Sequence, residues 1–351
     1  MTSTTRGTSC RPAPHLLVTP YEIGDEHGIV DLFNRVFGAG RSDFVPRSIA
    51  EWNWEFRDCP AGMQIMLGKD HDTGRVVAHY AAVPVRFNVE GEDVLVGQPV
   101  DSMVDPQWRR THATPNAFLA TARHYYETWG NAGHCHATYG FPNHQARVIG
   151  QRHLGYISMF APVQTLFANL FEPGPWTGMG RHRCSELVVE EVRRFDARVD
   201  VLWSAVRSSY DVAAIRDATY LNWRYADAPV PYRLFVVRDR SASPLRAIFV
   251  LRHGWCAPSI LAIADLLTHP ADRDALAACL LTAIETAGAQ EQGRVEMWLP
   301  AGHRLFATAL ELGMQTEPSP MTCVGRFYFT EHDLGWYLRH WYYTIGDSDL
   351  L

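Results

Sequence analysis

Lysine is nearly missing from this chain: Lys69 is the only one in 351 residues, and arginine supplies almost all of the positive charge. The formal net charge is -6 at pH 7, with Asp and Glu in excess. A nucleic-acid binder normally concentrates basic residues on one face, so this balance argues against that class. No apolar run approaches the roughly 20 residues that a membrane-spanning helix needs. The opening MTSTTRGTSCRPAPH has no apolar segment of the kind that signals secretion, and it reads as a loose tail over residues 1–15. The seven cysteines are scattered, odd in number and without a C-x-x-C pair, which predicts free thiols in a reducing cytoplasm. The chain also lacks a P-loop, a G-x-S-x-G and an H-E-x-x-H, so NTPase and common hydrolase readings have no residues to stand on.

What is present is repetition. NWEFRDCP at 53–60 returns as NWRYADAP at 222–229. After each phrase come two apolar runs joined by a turn, the pattern of a β-hairpin. Further on, PVDSMVDPQWRR at 99–110 faces IADLLTHPADRD at 263–274, which matches Asp101 with Asp265, Pro106 with Pro270 and Arg109 with Arg273. A helical pattern follows each block. TPNAFLATARHYYETW predicts a helix with Thr114 as N-cap and Phe118, Ala122, Tyr125 and Tyr126 along one side. Last, HATYGFPNHQARVIGQRHLGY at 136–156 aligns with VEMWLPAGHRLFATALELGM at 295–314. Four blocks in one order describe an internal duplication. At 351 residues the chain also exceeds the size at which one core usually stops growing.

The loop from Pro106 to Pro115 enters a helix. Its backbone N–H groups and the positive end of the helix dipole make a seat for a phosphate. The first copy reads QWRRTHAT there, so Arg109 and Arg110 add charge and Thr111 and Thr114 add hydroxyls. The second copy reads ADRD, whose Asp272 and Asp274 would repel a phosphate.

At these residues the chain resembles the GNAT acyltransferase superfamily, twice over. Val104, Asp105, Pro106 and Arg109 match the loop signature of that family, while His112 and Thr114 stand at its glycine positions. Asn143, Ala146 and Gly155-Tyr156 are similar to the asparagine-led helix of the family and its ending. The resemblance implies an α/β (α+β) fold of two tandem GNAT-like domains, each a mixed, centrally splayed β-sheet flanked by helices. Residues 16–171 would form the first, 172–183 a linker and 184–351 a degenerate second domain. It implies an acyl-CoA-dependent N-acyltransferase. The nucleotide would be bound by Ser102, Met103, Val104, Arg109, Arg110, Thr111, His112, Ala113, Thr114 and Asn143, and a backbone N–H near Met103 or Val104 would face the thioester oxygen. Candidates for the proton acceptor are Asp101, His136 and His112. Asp101 also reads as a structural carboxylate at a strand bulge, because the second copy keeps it as Asp265, and His136 also reads as a packed strand histidine. Tyr139 or solvent would replace the usual tyrosine acid, or the thiolate would leave unassisted, since Gly150 and Gln151 stand where that residue is expected.

The expected partner is a small-molecule amine, such as the amino sugar of a natural product in antibiotic biosynthesis, with a medium or long acyl chain. No metal, nucleic acid or membrane is expected, and the oligomeric state stays open. HCHATYGFPNH at 134–144 invites a zinc reading but offers no cysteine or carboxylate partner at the usual spacing. A Fem-like aminoacyl transferase would need a basic surface for tRNA. A GNAT fold that only binds a ligand is the remaining alternative. The aromatic tail GWYLRHWYYTIGDSDLL reads as a segment packed on a core in preference to the wall of a pocket.

Overall fold

The computed structural model describes residues 15–109, 116–159, 163–171, 174–182, 186–241, 244–328 and 332–349. The strands of these residues are β1 (Leu16–Pro20), β2 (Gln64–Asp70), β3 (Val76–Val89), β4 (Glu92–Val104), β5 (Ala137–Gly140), β6 (Ile157–Ser158), β7 (Gln164–Asn169) and β8 (Leu187–Val192). They continue with β9 (Val212–Ala214), β10 (Arg233–Asp239), β11 (Leu245–His253), β12 (Ile260–Thr268), β13 (Arg294–Trp298), β14 (Gln315–Pro318) and β15 (Val324–Phe327). The chain divides into two compact units. The first takes in the chain up to Ile49, then Ile65–Ala81 and Asp101–Thr128; the second takes in Ala50–Gln64, Ala82–Val100 and Trp129 onward.

In the first unit β1 pairs antiparallel with β2, from Leu16 opposite Asp70 to Pro20 opposite Met66. The start of β3 follows β2 in the sheet. Strand β3 is rich in valine and aromatic residues and is buried at nearly every position, as expected of a strand covered on both faces. Two helices belong to this unit. Asp25–Phe37 buries Ile29, Val30 and Leu32, and its Gly28 lies so close to β3 that a Cβ there would sit 2.9 Å from Val76. Ala117–Thr128 buries Thr121, Ala122, Tyr125 and Tyr126. The Tyr126 hydroxyl lies 2.7 Å from that of Tyr80 on β3, and the Tyr80 and Tyr125 rings are 5.0 Å apart. Asn116 fills the capping role expected of Thr114: its side chain accepts from Leu119 N at 2.9 Å. Thr114 itself lies outside the described residues.

The second unit contains an exchange that the repeat pattern does not announce. Strand β15, from the end of the second sequence copy, lies between β5 and β6 of the first. Strand β7, from the end of the first copy, lies between β13 and β14 of the second. Each copy lends its last strand to the other's sheet. The parallel partners behave alike in the two copies. Strand β4 pairs with β5 only at Val96 and Gly97; two residues later Pro99 has no N–H to donate. Strand β12 pairs with β13 from Ile260 to Ile263 and then bulges, because Leu251 faces Ile263 while Val250 faces Asp265, which leaves Ala264 as the extra residue.

The twin phrases fold as twin turns. Asn53–Arg57 and Asn222–Ala226 are each one π-helical turn, closed by Asp58 N donating to Asn53 O at 2.8 Å and Asp227 N to Asn222 O at 2.9 Å. The tryptophan at the second place of each turn meets its counterpart. Trp54 Nε1 donates to Trp223 O, Trp223 Nε1 donates to Trp54 O, both at 2.7 Å, and the rings stack with centroids 5.8 Å apart. This reciprocity is why the chain keeps the same letters 169 positions apart.

Replacing either indole by Phe removes one of these two bonds and leaves a carbonyl without its donor. Trp54→Phe and Trp223→Phe should each cost about 1–3 kcal/mol in urea unfolding. The double variant should cost clearly less than the sum, because the two residues form one unit; strict additivity would mean that the pair is not coupled.

Candidate functional site

Asp101 lies inside β4 with a left-handed backbone, φ 50°, a conformation that costs energy unless its surroundings hold it. Two side chains of the first unit do so. The Arg47 guanidinium pairs with the Asp101 carboxylate, and His79 Nδ1 donates to the Asp101 carbonyl at 2.8 Å. Arg47 is itself fixed: its N–H donates to Asn34 Oδ1 at 2.7 Å, Asn34 Nδ2 donates back to the Arg47 carbonyl at 3.0 Å, and its guanidinium lies 3.8 Å from the Phe33 ring centroid. His79 is fully buried. Burial pushes its pKa below 6.5, with the nearby Asp101 opposing the shift, so the ring stays neutral and keeps Nδ1–H as a donor.

The second copy repeats the pair and closes it. Arg216 stands 169 positions after Arg47, and its Nε donates to Asp265 Oδ1 at 2.8 Å with both side chains buried. Asp265 also accepts from Tyr225 Oη and from Leu266 N, each at 2.8 Å, and from Thr344 Oγ1 at 3.2 Å. The first copy has Phe56 in place of Tyr225 and so no hydroxyl to offer. The turn Ile345–Asp347 fills the remaining space. Arg216 Nη2 donates to Asp347 Oδ2 at 2.6 Å, and Gly346 packs so tightly that a Cβ would lie 3.0 Å from the Ala264 carbonyl at the bulge. The aromatic tail therefore packs, with Trp341, Tyr342 and Tyr343 all buried.

The two helix entries differ in the same sense. In the first unit Asp105 is buried, accepts from Gln107 N at 2.9 Å, and meets Arg35 at 3.2 Å and Arg75 at 3.3 Å. Trp108 is held by a bond from its N–H to Asp105 O and packs with Val77, Ala78 and Ala117. Arg109 Nε donates to Val104 O at 3.3 Å. Three arginines thus stand at this entry against one carboxylate. Arg110, Thr111, His112, Ala113 and Thr114 lie outside the described residues. In the second copy Asp272 caps the helix Arg273–Ala289 by accepting from Ala275 N, and Arg246 binds the same carboxylate at 2.6 Å. The protein's own carboxylate occupies the seat that a phosphate would use.

The other sequence candidates fall into separate groups. Asp101, Ser102, Met103, Val104 and Arg109 belong to the first unit, with Met103 buried and Ser102 and Val104 half-buried at the end of β4. His136, Tyr139 and Asn143 belong to the second. His136 stands just before β5 and is packed: its Nε2 lies 2.7 Å from the Tyr337 hydroxyl and its N–H donates to Leu95 O. Tyr139 is buried among Phe87, Phe141 and Trp341, and burial holds its pKa far above the usual phenol range. Asn143 caps the helix His144–His153 through Ala146 N. Among the described residues no group of three or more His, Cys, Asp or Glu is arranged to hold a metal, and no helix is long and apolar enough to cross a membrane. The Arg47–Asp101 and Arg216–Asp265 pairs escape sequence reading because their partners lie far apart in the chain. The shared offset from Arg47 to Arg216 was the available signal.

Removing Arg216 would leave two buried carboxylates without their cation. Arg216→Ala should lose about 3–5 kcal/mol in chemical denaturation, and Arg47→Ala, at a more exposed pair, clearly less. His79 sets a pH dependence. Since its folded pKa is depressed, the stability it contributes is complete above pH 6.5 and is lost as pH falls through the folded value. His79→Asn, which keeps a donor and cannot titrate, should show a flatter stability profile below pH 6.5; identical profiles would mean that the buried ring is not neutral.

Comparison with known proteins agrees with this geometry. Residues 18–135 match the family model described as an acetyltransferase (GNAT) domain. A search of the curated proteins gave no match. Among solved structures, a probable N-acyltransferase from Enterococcus faecalis V583 is similar over 90% of this chain and 73% of its own, at 12% identity and TM-score 0.62. A GCN5-related N-acetyltransferase from Anabaena variabilis has the same coverage at 13% identity and TM-score 0.61. The N-myristoyltransferase of Saccharomyces cerevisiae with bound myristoyl-CoA is similar over 91% of this chain and 85% of its own, at 14% identity and TM-score 0.54. The two mixed sheets flanked by helices match the fold of tandem GNAT-like domains, and the match to the GNAT domain model itself spans residues 18–135.

Proposed function

We propose that the first sequence half, residues 16–171, binds acyl-CoA and that an acyl group passes from it to the amine of a small molecule, while residues 184–351 serve as structural partner. The observation that supports this reading most is the contrast between the two helix entries. Arg35, Arg75 and Arg109 surround the first, whereas Asp272 already occupies the second. A pyrophosphate needs the former arrangement and is repelled by the latter. Arg109 and the loop Arg110, Thr111, His112, Ala113 and Thr114 would hold the phosphates. The backbone N–H of Met103 or Val104, just beyond the bulge, would stabilise the oxyanion that forms as the amine attacks the thioester carbon.

In that step the nitrogen–carbon bond forms, the carbon–sulfur bond breaks, the thiolate leaves and the amine gives up a proton. Asp101 is the proton acceptor we favour. Its carboxylate has Arg47 beside it and keeps some exposure, while Asp265 is enclosed by four donors. His136 is engaged with Tyr337, and Tyr139 is sealed in an aromatic cluster, which leaves neither well suited to proton transfer. We further read the acyl chain as medium or long, in keeping with the myristoyl-CoA carried by one structural neighbour. An amino sugar of a natural product, as in antibiotic biosynthesis, is the acceptor this reading favours, and the cytoplasm the compartment. The free thiols Cys59, Cys135, Cys256, Cys279 and Cys323 suit reducing conditions.

A thermal-shift titration with acetyl-, octanoyl- and decanoyl-CoA tests the reading, because a ligand of the native state raises the melting point. Longer chains should bind more tightly, by about 0.8 kcal/mol for each buried CH₂; equal shifts would exclude an apolar acyl site. Arg109→Ala should raise the Kd for CoA about tenfold or more, as expected for a lost charged hydrogen bond. Arg273→Ala should leave it unchanged, and the opposite result would move the nucleotide to the second copy.

A further inference from the structure

A cavity of about 280 Å³ lies in the second unit, at the small end of the range for ligand sites. Its apolar walls include Pro84 and Val85 of β3, Ile215 and Trp223. These walls are fixed: Ile215 N donates to Arg86 O at 2.8 Å, and Trp223 is locked by its exchange with Trp54. The charged groups that line it are one of each sign. Arg86 and Asp217 pair there with side chains 45% and 20% exposed, so solvent already reaches both. An ion pair at that exposure adds little to stability and can be opened at low cost.

The third polar group is Tyr220. Its side chain is more than nine-tenths buried, yet it lines the cavity. Among the described residues nothing takes its hydroxyl in a hydrogen bond, since the polar contact of this residue runs through its backbone N–H to Asp217 Oδ1. Burial holds the phenol well above its ordinary pKa, so it remains a donor at neutral pH. A hydroxyl on the wall of a cavity, with no partner among the described residues, is one that a ligand acceptor atom can engage. The thiol of Cys59, another lining group, donates to Pro84 O, and burial pushes its pKa up to about 11, so it is not a nucleophile here.

We propose that this cavity binds a small zwitterion of the α-amino-acid type with an apolar side chain: Arg86 and the Tyr220 hydroxyl take its carboxylate, Asp217 its ammonium group, and the apolar walls its side chain. A lone amine would leave Arg86 and Tyr220 unused, and a lone carboxylic acid would leave Asp217 facing nothing of opposite sign. The proposal rests on the acyltransferase reading in one respect, in that the bound amine is the kind of group that reading requires.

The test is isothermal titration of the full chain, without CoA, with L-valine, L-leucine and L-phenylalanine. Phenethylamine, which lacks the carboxylate, and 3-phenylpropionate, which lacks the amine, serve as truncated probes. The amino acids should bind and both truncated probes should bind at least tenfold more weakly. Arg86→Gln should abolish the preference of L-phenylalanine over phenethylamine, and Asp217→Asn, which retains a helix-capping side chain, should abolish its preference over 3-phenylpropionate. Tyr220→Phe, which keeps the ring, should weaken the amino acid about tenfold and leave phenethylamine unchanged. Absence of amino-acid binding, or binding indifferent to all three variants, overturns the proposal. Octanoyl-CoA titrated into the same samples separates the two ideas: an intact CoA response beside a silent amino-acid titration sinks the zwitterion and spares the acyltransferase, and loss of both sinks both.

Discussion

A strand that departs from regular β-structure at or beside an aspartate needs something to hold it there, and in this fold an arginine pairs with that aspartate in both copies. Arg47 holds Asp101 and Arg216 holds Asp265. In the first copy the irregularity is the left-handed residue at 101; in the second it is the extra residue at 264, directly after the last pair of β12 with β13. Each ion pair supplies a charged contact that helps hold this local departure from regular structure in place.

The two copies show what happens to such a site under different surroundings. In the second, each opening is closed by the protein itself: Tyr225, Thr344 and Leu266 N saturate the aspartate, Gly346 presses on the bulge, and Asp272 caps the helix. In the first, the aspartate has fewer donors and the helix entry has arginines. The two copies share a scaffold and differ in the few polar residues that surround the aspartate and the helix entry.

Much of this was legible in the sequence, but unevenly. The matched blocks placed Asp101 opposite Asp265 and a basic loop opposite an acidic one, because strand and loop chemistry repeats locally. The helix Ala117–Thr128 and its buried tyrosines follow from spacing alone, although its cap lies at Asn116, two residues beyond the expected threonine. The arginine partners were not legible: Arg47 and Asp101 are 54 residues apart, and no local pattern links such positions. Asn143 illustrates a different limit. An asparagine before a helix caps it whatever else it does, so its sequence context cannot separate architecture from binding.

The exchanged strands β7 and β15 carry a consequence for how the chain is made. Strand β5 emerges from the ribosome nearly 190 residues before β15, its neighbour in the sheet. During synthesis the edge of β5 must wait unpaired, and such an edge is a template for wrong partners. The short edge strand β6, only Ile157–Ser158, offers little to occupy it. Nascent chains of this protein therefore pass through a long interval in which a holdase, or a rapid rate of translation, would protect them from one another.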